Sequence, residues 1–151
     1  MDELDSFVAR RLADLIADLQ SDDEEVRWDA ASDIKDMGTA ASAAVPFLVK
    51  VLLDRRPTEF NPYVRGIVAD ALGAIGSQAR DSVSALIECT VDEPGLPEEV
   101  RWLRLRAAVA IYRITGDGKI VRSVAGQLAN DPEWWLREKA GECLRTIHGV
   151  A

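Results

Sequence analysis

One histidine, two cysteines and a run of four acids are the side chains of this 151-residue chain whose types could do chemistry. His148 falls in the last turn of the last expected helix, where a lone imidazole serves as a solvated cation at the carbonyl end rather than as a base or a ligand. Cys89 and Cys143 sit in helical patterns, lack a neighbouring basic cluster that would lower a thiol pKa, and form neither a disulfide framework nor a zinc spacing. Asp22-Asp23-Glu24-Glu25 imitates an acid/base pair, but consecutive carboxylates at a helix start are capping groups. Gly116-Asp117-Gly118-Lys119 looks like a phosphate loop, yet its first glycine is misplaced and Ile120 stands where Ser or Thr is needed. A turn between stacked helices accounts for it. The expectation is a chain with no catalytic residue, no metal site and no cofactor.

Charge is more informative. The net charge is −8, and all of it lies in residues 1–36, which hold twelve acids and four bases; the remainder is neutral. Within that remainder, residues 100–122 hold Arg101, Arg104, Arg106, Arg113, Lys119 and Arg122 against Asp117 alone, a basic belt. Such a division can steer a charged partner or describe a solvated surface. The start of the chain is acidic and lacks the basic and apolar regions of a signal peptide. No apolar run approaches the ~20 residues of a membrane span. A cytoplasmic location is expected.

The elements that position these residues repeat. An apolar residue followed by Arg occurs at Val26-Arg27, Val64-Arg65, Leu103-Arg104 and Leu136-Arg137. After each Arg, small or apolar residues recur: Ala30, Val68, Ala107 and Ala140, then Ala31, Ala69, Ala108 and Gly141, then Ile34, Leu72, Ile111 and Leu144, then Met37, Ile75, Ile114 and Ile147. These offsets mark one face of a helix. Gly38, Gly76, Gly116 and Gly149 supply the stops. A second amphipathic helix precedes each, as in Val45, Leu48, Val49 and Leu52, with Thr90 the one polar intruder in these sets. Ser42 and Asn61 are expected N-caps, Asn61-Pro62 and Asp131-Pro132 helix starts. The spacing predicts an all-α, right-handed α-solenoid (an α-α superhelix) of four two-helix repeats, at about 4–38, 41–76, 80–116 and 118–149, in one domain. Loops at Asp54–Asn61 and Val91–Pro97 lengthen the first two intervals.

Val45-Pro46-Phe47-Leu48, Asn130-Asp131-Pro132 and Val64-Arg65 through Leu72-Gly73-Ala74-Ile75-Gly76 resemble HEAT repeats, most of all the short HEAT-like repeats of phycobilisome lyases. The resemblance spans roughly residues 5–149. It implies a ladder in which a turn Asp pairs with the inner-helix Arg. Arg27, Arg65, Arg104 and Arg137 are then structural, and Asp131, six residues before Arg137, is the ladder acid in register. The His-Glu pairs of HEAT-repeat iron hydroxylases are missing from a chain with one histidine.

Inner helices line the concave side of such stacks. Columns opposite the buried ones place Trp28, Asp29, Asp33, Asp36, Asp70, Leu105, Arg106 and Arg113 on the face where a partner sits. Trp28 and Leu105 are large apolar residues on a nominally exposed ridge, and Trp28 is a candidate anchor. Tyr63, Trp102 and Trp135, with Trp134 beside the last, form an edge column read as covering the ends of the core. The expected function is a non-catalytic protein-interaction module or scaffold, monomeric or weakly self-associating. It would hold a basic protein on its concave face, in a narrower version as an inhibitor. The alternatives are a phycobilin-lyase-like protein that holds a small chromophore or cofactor, and nucleic-acid binding through the third-repeat Arg belt. The acids of the first inner helix would repel phosphate, which counts against nucleic acid.

Overall fold

Each run of alternating caps and apolar stripes becomes a helix in the computed structural model, which describes residues 2–148. The expected stop at Gly149 lies outside the described residues. Eight α-helices follow one another: α1 (Glu3–Asp18), α2 (Glu24–Met37), α3 (Val45–Leu53), α4 (Asn61–Ile75), α5 (Val83–Glu88), α6 (Glu98–Thr115), α7 (Lys119–Leu128) and α8 (Trp134–His148). Among the described residues there is no strand. The even-numbered helices carry the Arg positions. α2, α4 and α6 pack in series as an inner layer, and each odd-numbered helix packs on the even-numbered helix that follows it.

Local chemistry sets the boundaries. Asp2 accepts from the Asp5 amide at 2.8 Å and Asp23 from the Glu25 amide at 2.9 Å, so both cap helix starts, and Glu24 and Glu25 occupy the first turn of α2. Gly38 and Gly76 end α2 and α4 at φ of +57° and +78°, a conformation that side chains resist. Each glycine opens a seven-residue 3₁₀ segment, Gly38–Ala44 and Gly76–Ser82. α3 and α5 therefore begin at Val45 and Val83 without a side-chain cap, and Ser42 does not cap α3 as expected. The stretch Glu24–Leu53 is long and apolar enough by composition to cross a bilayer. Gly38 breaks it, and the two parts, α2 and α3, both pack on α4.

Asn61 also departs from expectation. Phe60 occupies the cap position of α4, and the buried Asn61 amide donates to the carbonyls of Asp54 (2.8 Å) and Arg56 (3.1 Å). Its side chain closes the 54–60 loop instead of the helix end. Thr90 lies beyond α5, where its hydroxyl donates to Ile87 O at 2.7 Å and intrudes on no core.

The core divides at α6. One cluster runs from Leu12 of α1 through the inner layer to Ile114. A second joins Leu105 and Ala108 of α6 to Val121, Val124 and Leu128 of α7 and Ala140 of α8. α4 lies in the middle of the first cluster, with Gly66, Ile67, Ala69 and Gly73 all buried.

Candidate functional site

The four arginines after the apolar positions perform one task. Arg27 Nη1 donates to Ser21 O (2.7 Å), Arg65 Nε to Leu52 O (2.7 Å), Arg104 Nε to Thr90 O (3.1 Å) and Arg137 Nη1 to Asp131 O (2.7 Å). Each acceptor lies at the carbonyl end of the preceding odd-numbered helix, where backbone oxygens lack helical partners. A guanidinium there supplies both donors and the favourable charge. Arg27 and Arg104 are buried, and Arg104 also donates to Gln127 Oε1 at 2.7 Å.

The acid partner differs from the expected one. The Asp131 carboxylate pairs with Arg101 of α6, at 2.8 and 3.1 Å, and accepts from the Glu133 amide at 2.9 Å. Only its backbone carbonyl reaches Arg137. The turn before α8 and the helix's first residues bring that carbonyl to the arginine, while the side chain reaches across to α6. Burial pushes the Asp131 carboxyl up, but the Arg101 hydrogen bonds, the Glu133 amide and the nearby arginines outweigh it and hold the group below the usual range.

The concave-face residues divide three ways. Asp29 and Asp36 are exposed on α2 and make no ion pair among the described residues. Asp33 is bonded to Arg11 of α1 at 2.7 Å, and Asp70 to Arg106 at 2.6 Å. Arg106 also lies over the Trp102 ring, 5.5 Å from its centroid, and covers Gly66. Two ridge assignments are corrected. Trp28 is half-buried against the main core, and Leu105 is 1% exposed, packed in the second core with residues of α7 and α8. Arg113 is exposed and makes no hydrogen bond or ion pair among the described residues. Of the edge aromatics, Trp102 and Trp135 meet edge-on at 5.6 Å and are half-buried, whereas Tyr63 is 41% and Trp134 65% exposed.

These positions surround a groove that helix patterns alone do not reveal. An open groove of about 290 Å³ is lined by Leu105, Val109, Trp102 and Cys143, with Lys35, Asp70, Arg106, Arg113, Lys139 and Glu142 around it. It continues into a second hollow of about 230 Å³ lined by Tyr112, Val121, Thr146 and Ile147, the two sharing Val109, Arg113, Glu142 and Cys143. The cause is a change of side-chain size at equivalent positions. Towards α6, α4 presents Gly66 and Gly73, and a Cβ on Gly73 would lie 3.2 Å from the Ala110 Cα. Towards α8, α6 presents Leu105 and Tyr112 at the same two columns. α4 and α6 meet closely, while α8 is held off and packs chiefly on α7.

The groove's charge is opposite to that of the whole chain. Asp70 is answered by Arg106 and Glu142 by Lys139 at 3.2 Å, which leaves Lys35 and Arg113 unpaired among the described residues. Of the remaining belt, Arg101 and Arg104 are committed to Asp131 and to Thr90, Gln127 and Asp92, whereas Lys119 and Arg122 make no ion pair among the described residues. The concave columns of the sequence contain Asp70, Leu105, Arg106 and Arg113. Lys35, Tyr112, Cys143 and Ile147 escape selection because nothing local shows that α8 stands away from α6.

Neither thiol is poised as a nucleophile. Burial pushes the Cys89 thiol up, partly offset by Arg65, whose Nη2 lies 3.5 Å from Sγ; burial and then Glu142 push Cys143 up.

A profile described as HEAT repeats matches residues 12–102. No curated protein and no solved structure matches the chain.

Proposed function

From the premise that this chain belongs to the HEAT-repeat family, whose members commonly act as protein-interaction scaffolds and are typically non-catalytic, we propose that it is a protein-binding module. On this reading it is a right-handed solenoid of four two-helix repeats whose concave face holds a protein partner. Support for four units comes from the four arginines, which make equivalent bonds on each helix pair, including the pair beyond the matched residues.

The observation that carries the function is the concave groove with unpaired charge at its margins. Its apolar lining gives a partner's side chains something to desolvate. Arg113 and Lys35 at the groove, and Asp29 and Asp36 elsewhere on α2, make no ion pair among the described residues and are open to a partner's charges. The acids of α2 favour a basic region on that partner, and an inhibitor of a basic protein is the narrower form. Neither a lyase-like role nor nucleic-acid binding gains comparable support. The hollows are open rather than enclosed, and much of the Arg belt is already paired with carboxylates and carbonyls.

Affinity capture from the native host tests the proposal. The wild type is expected to retain a protein that is lost with Asp29→Lys/Asp36→Lys or with Arg113→Glu, at unchanged melting temperature. Equal capture by all three proteins would refute the assignment of the face.

A further inference from the structure

We propose that the α6–α8 groove receives the first turns of α1 from a second copy of this chain, a head-to-tail contact that rests on reading the groove as a protein-binding surface. Leu4 and Phe7 are 68% and 65% exposed, the two most exposed large aliphatic and aromatic groups of α1. One helical turn apart, they share a face. Asp2, Glu3 and Asp5 surround them, within the segment that carries the whole negative surplus. This tip is apolar and acidic, and none of the described residues covers Leu4 or Phe7.

The groove has the complementary chemistry. Val109, Cys143 and Ile147 supply apolar surface, while Arg113 and Lys35 stand unpaired at its margins. Tip and groove belong to opposite ends of the series. α1 packs on α2 and the 3₁₀ segment after it, whereas the groove's apolar lining comes from α6 and α8, with Lys35 of α2 and Asp70 of α4 at its margin. Occupation by a neighbour would put Leu4 and Phe7 on the groove's apolar lining and the acids of the first turn beside Arg113 and Lys35. Each copy then keeps one free tip and one free groove, so the contact is heterologous and propagates instead of closing as a symmetric dimer. Two apolar side chains and a few charges make a small, weak interface, well under the ~1,200 Å² of stable complexes.

Sedimentation equilibrium at about 0.15 M salt, where charges are screened beyond ~8 Å, tests the pairing. The weight-average mass of the wild type is expected to climb from the 16.5 kDa monomer past twice that value as concentration rises. Leu4→Ser/Phe7→Ser removes the tip, and Lys35→Glu/Arg113→Glu removes the groove's charge; each variant alone is expected to remain monomeric. Mixed, they restore a species that stops at the dimer, since one good tip meets one good groove. A wild type that stays monomeric overturns the proposal. So does association that either variant leaves unchanged, or a mixture that gains no mass. If a variant loses helicity by circular dichroism, amide shifts of the wild type across a dilution series replace it. Shifts confined to residues 2–8 and to the groove support the contact, and shifts elsewhere overturn it. Partner capture is read below the self-association range, so failure here and failure of the binding function are separate results.

Discussion

Replacing Gly66 by alanine probes the contact that joins the second and third helix pairs. A Cβ at this buried position of α4 would stand 2.5 Å from Arg106 Nη1 and 3.0 Å from its Cζ, against an ordinary contact of 3.4–4 Å. The guanidinium must move by about an ångström. It is not free to do so without loss, because it holds Asp70 at 2.6 Å and lies on Trp102. A hydrogen bond between charged groups contributes about 1.5–3 kcal/mol, and a cation over an aromatic ring about 0.5–1 kcal/mol. Alanine returns about 1 kcal/mol of helix propensity. The net expectation for Gly66→Ala is a loss of about 1–3 kcal/mol, read as a lower urea midpoint at unchanged slope. In an Arg106→Ala background the obstruction is gone, and the same substitution is expected to stabilise by up to ~1 kcal/mol. The sign reversal is the signature. Gly73→Ala is the control: its Cβ meets the Ala110 backbone, which Arg106→Ala cannot relieve. Gly66→Ala that stabilises in both backgrounds would refute the packing argument.

Further expectations follow from the arginines and the thiols. Arg104→Ala removes a buried guanidinium with two acceptors and is expected to cost about 2–3 kcal/mol by chemical denaturation. Arg65→Ala, with its one carbonyl acceptor and a sulfur contact, should also lower the melting temperature, by less; an unchanged melting temperature with lost partner binding would make Arg65 a ligand contact instead. Asp131→Asn is expected to cost about 2 kcal/mol at pH 7. Because the folded pKa of Asp131 lies below its unfolded value of about 4, that stabilisation is present above pH ~4 and vanishes as pH falls through the folded value, so wild-type and variant urea midpoints should converge in acid. With an aromatic disulfide reagent at neutral pH, both thiols should react slowly, the half-buried Cys143 before the buried Cys89, and an occupant of the groove should protect Cys143 alone.

Much of this architecture was legible in the sequence because helix periodicity and capping are local. Asp23, Gly38 and Gly76 act where their positions predict, and the arginines land at equivalent places on every pair. Local signals failed where a side chain had a choice of partners. Asn61 belongs by type to a helix start, yet the loop before it offers two carbonyls. Asp131 has the right spacing for Arg137, yet its carboxylate finds Arg101 on another helix. Leu105 occupies a solvent column by period, and only the packing of the last helix pair buries it.

The sequence by itself determined which residues are helical, which stripe of each helix is buried, where the arginines stand and how unevenly charge is distributed, since each depends on neighbours within a few turns. The tertiary structure decided which of those charges remain free and where a groove opens. Both depend on pairs of side chains far apart in the chain. Gly66 and Gly73 admit α6 against α4 and lay Arg106 beside Asp70, while Leu105 and Tyr112 at the same columns hold α8 away. The size of one residue opposite another, invisible along a single helix, determines whether two helices close on each other or leave room for a partner.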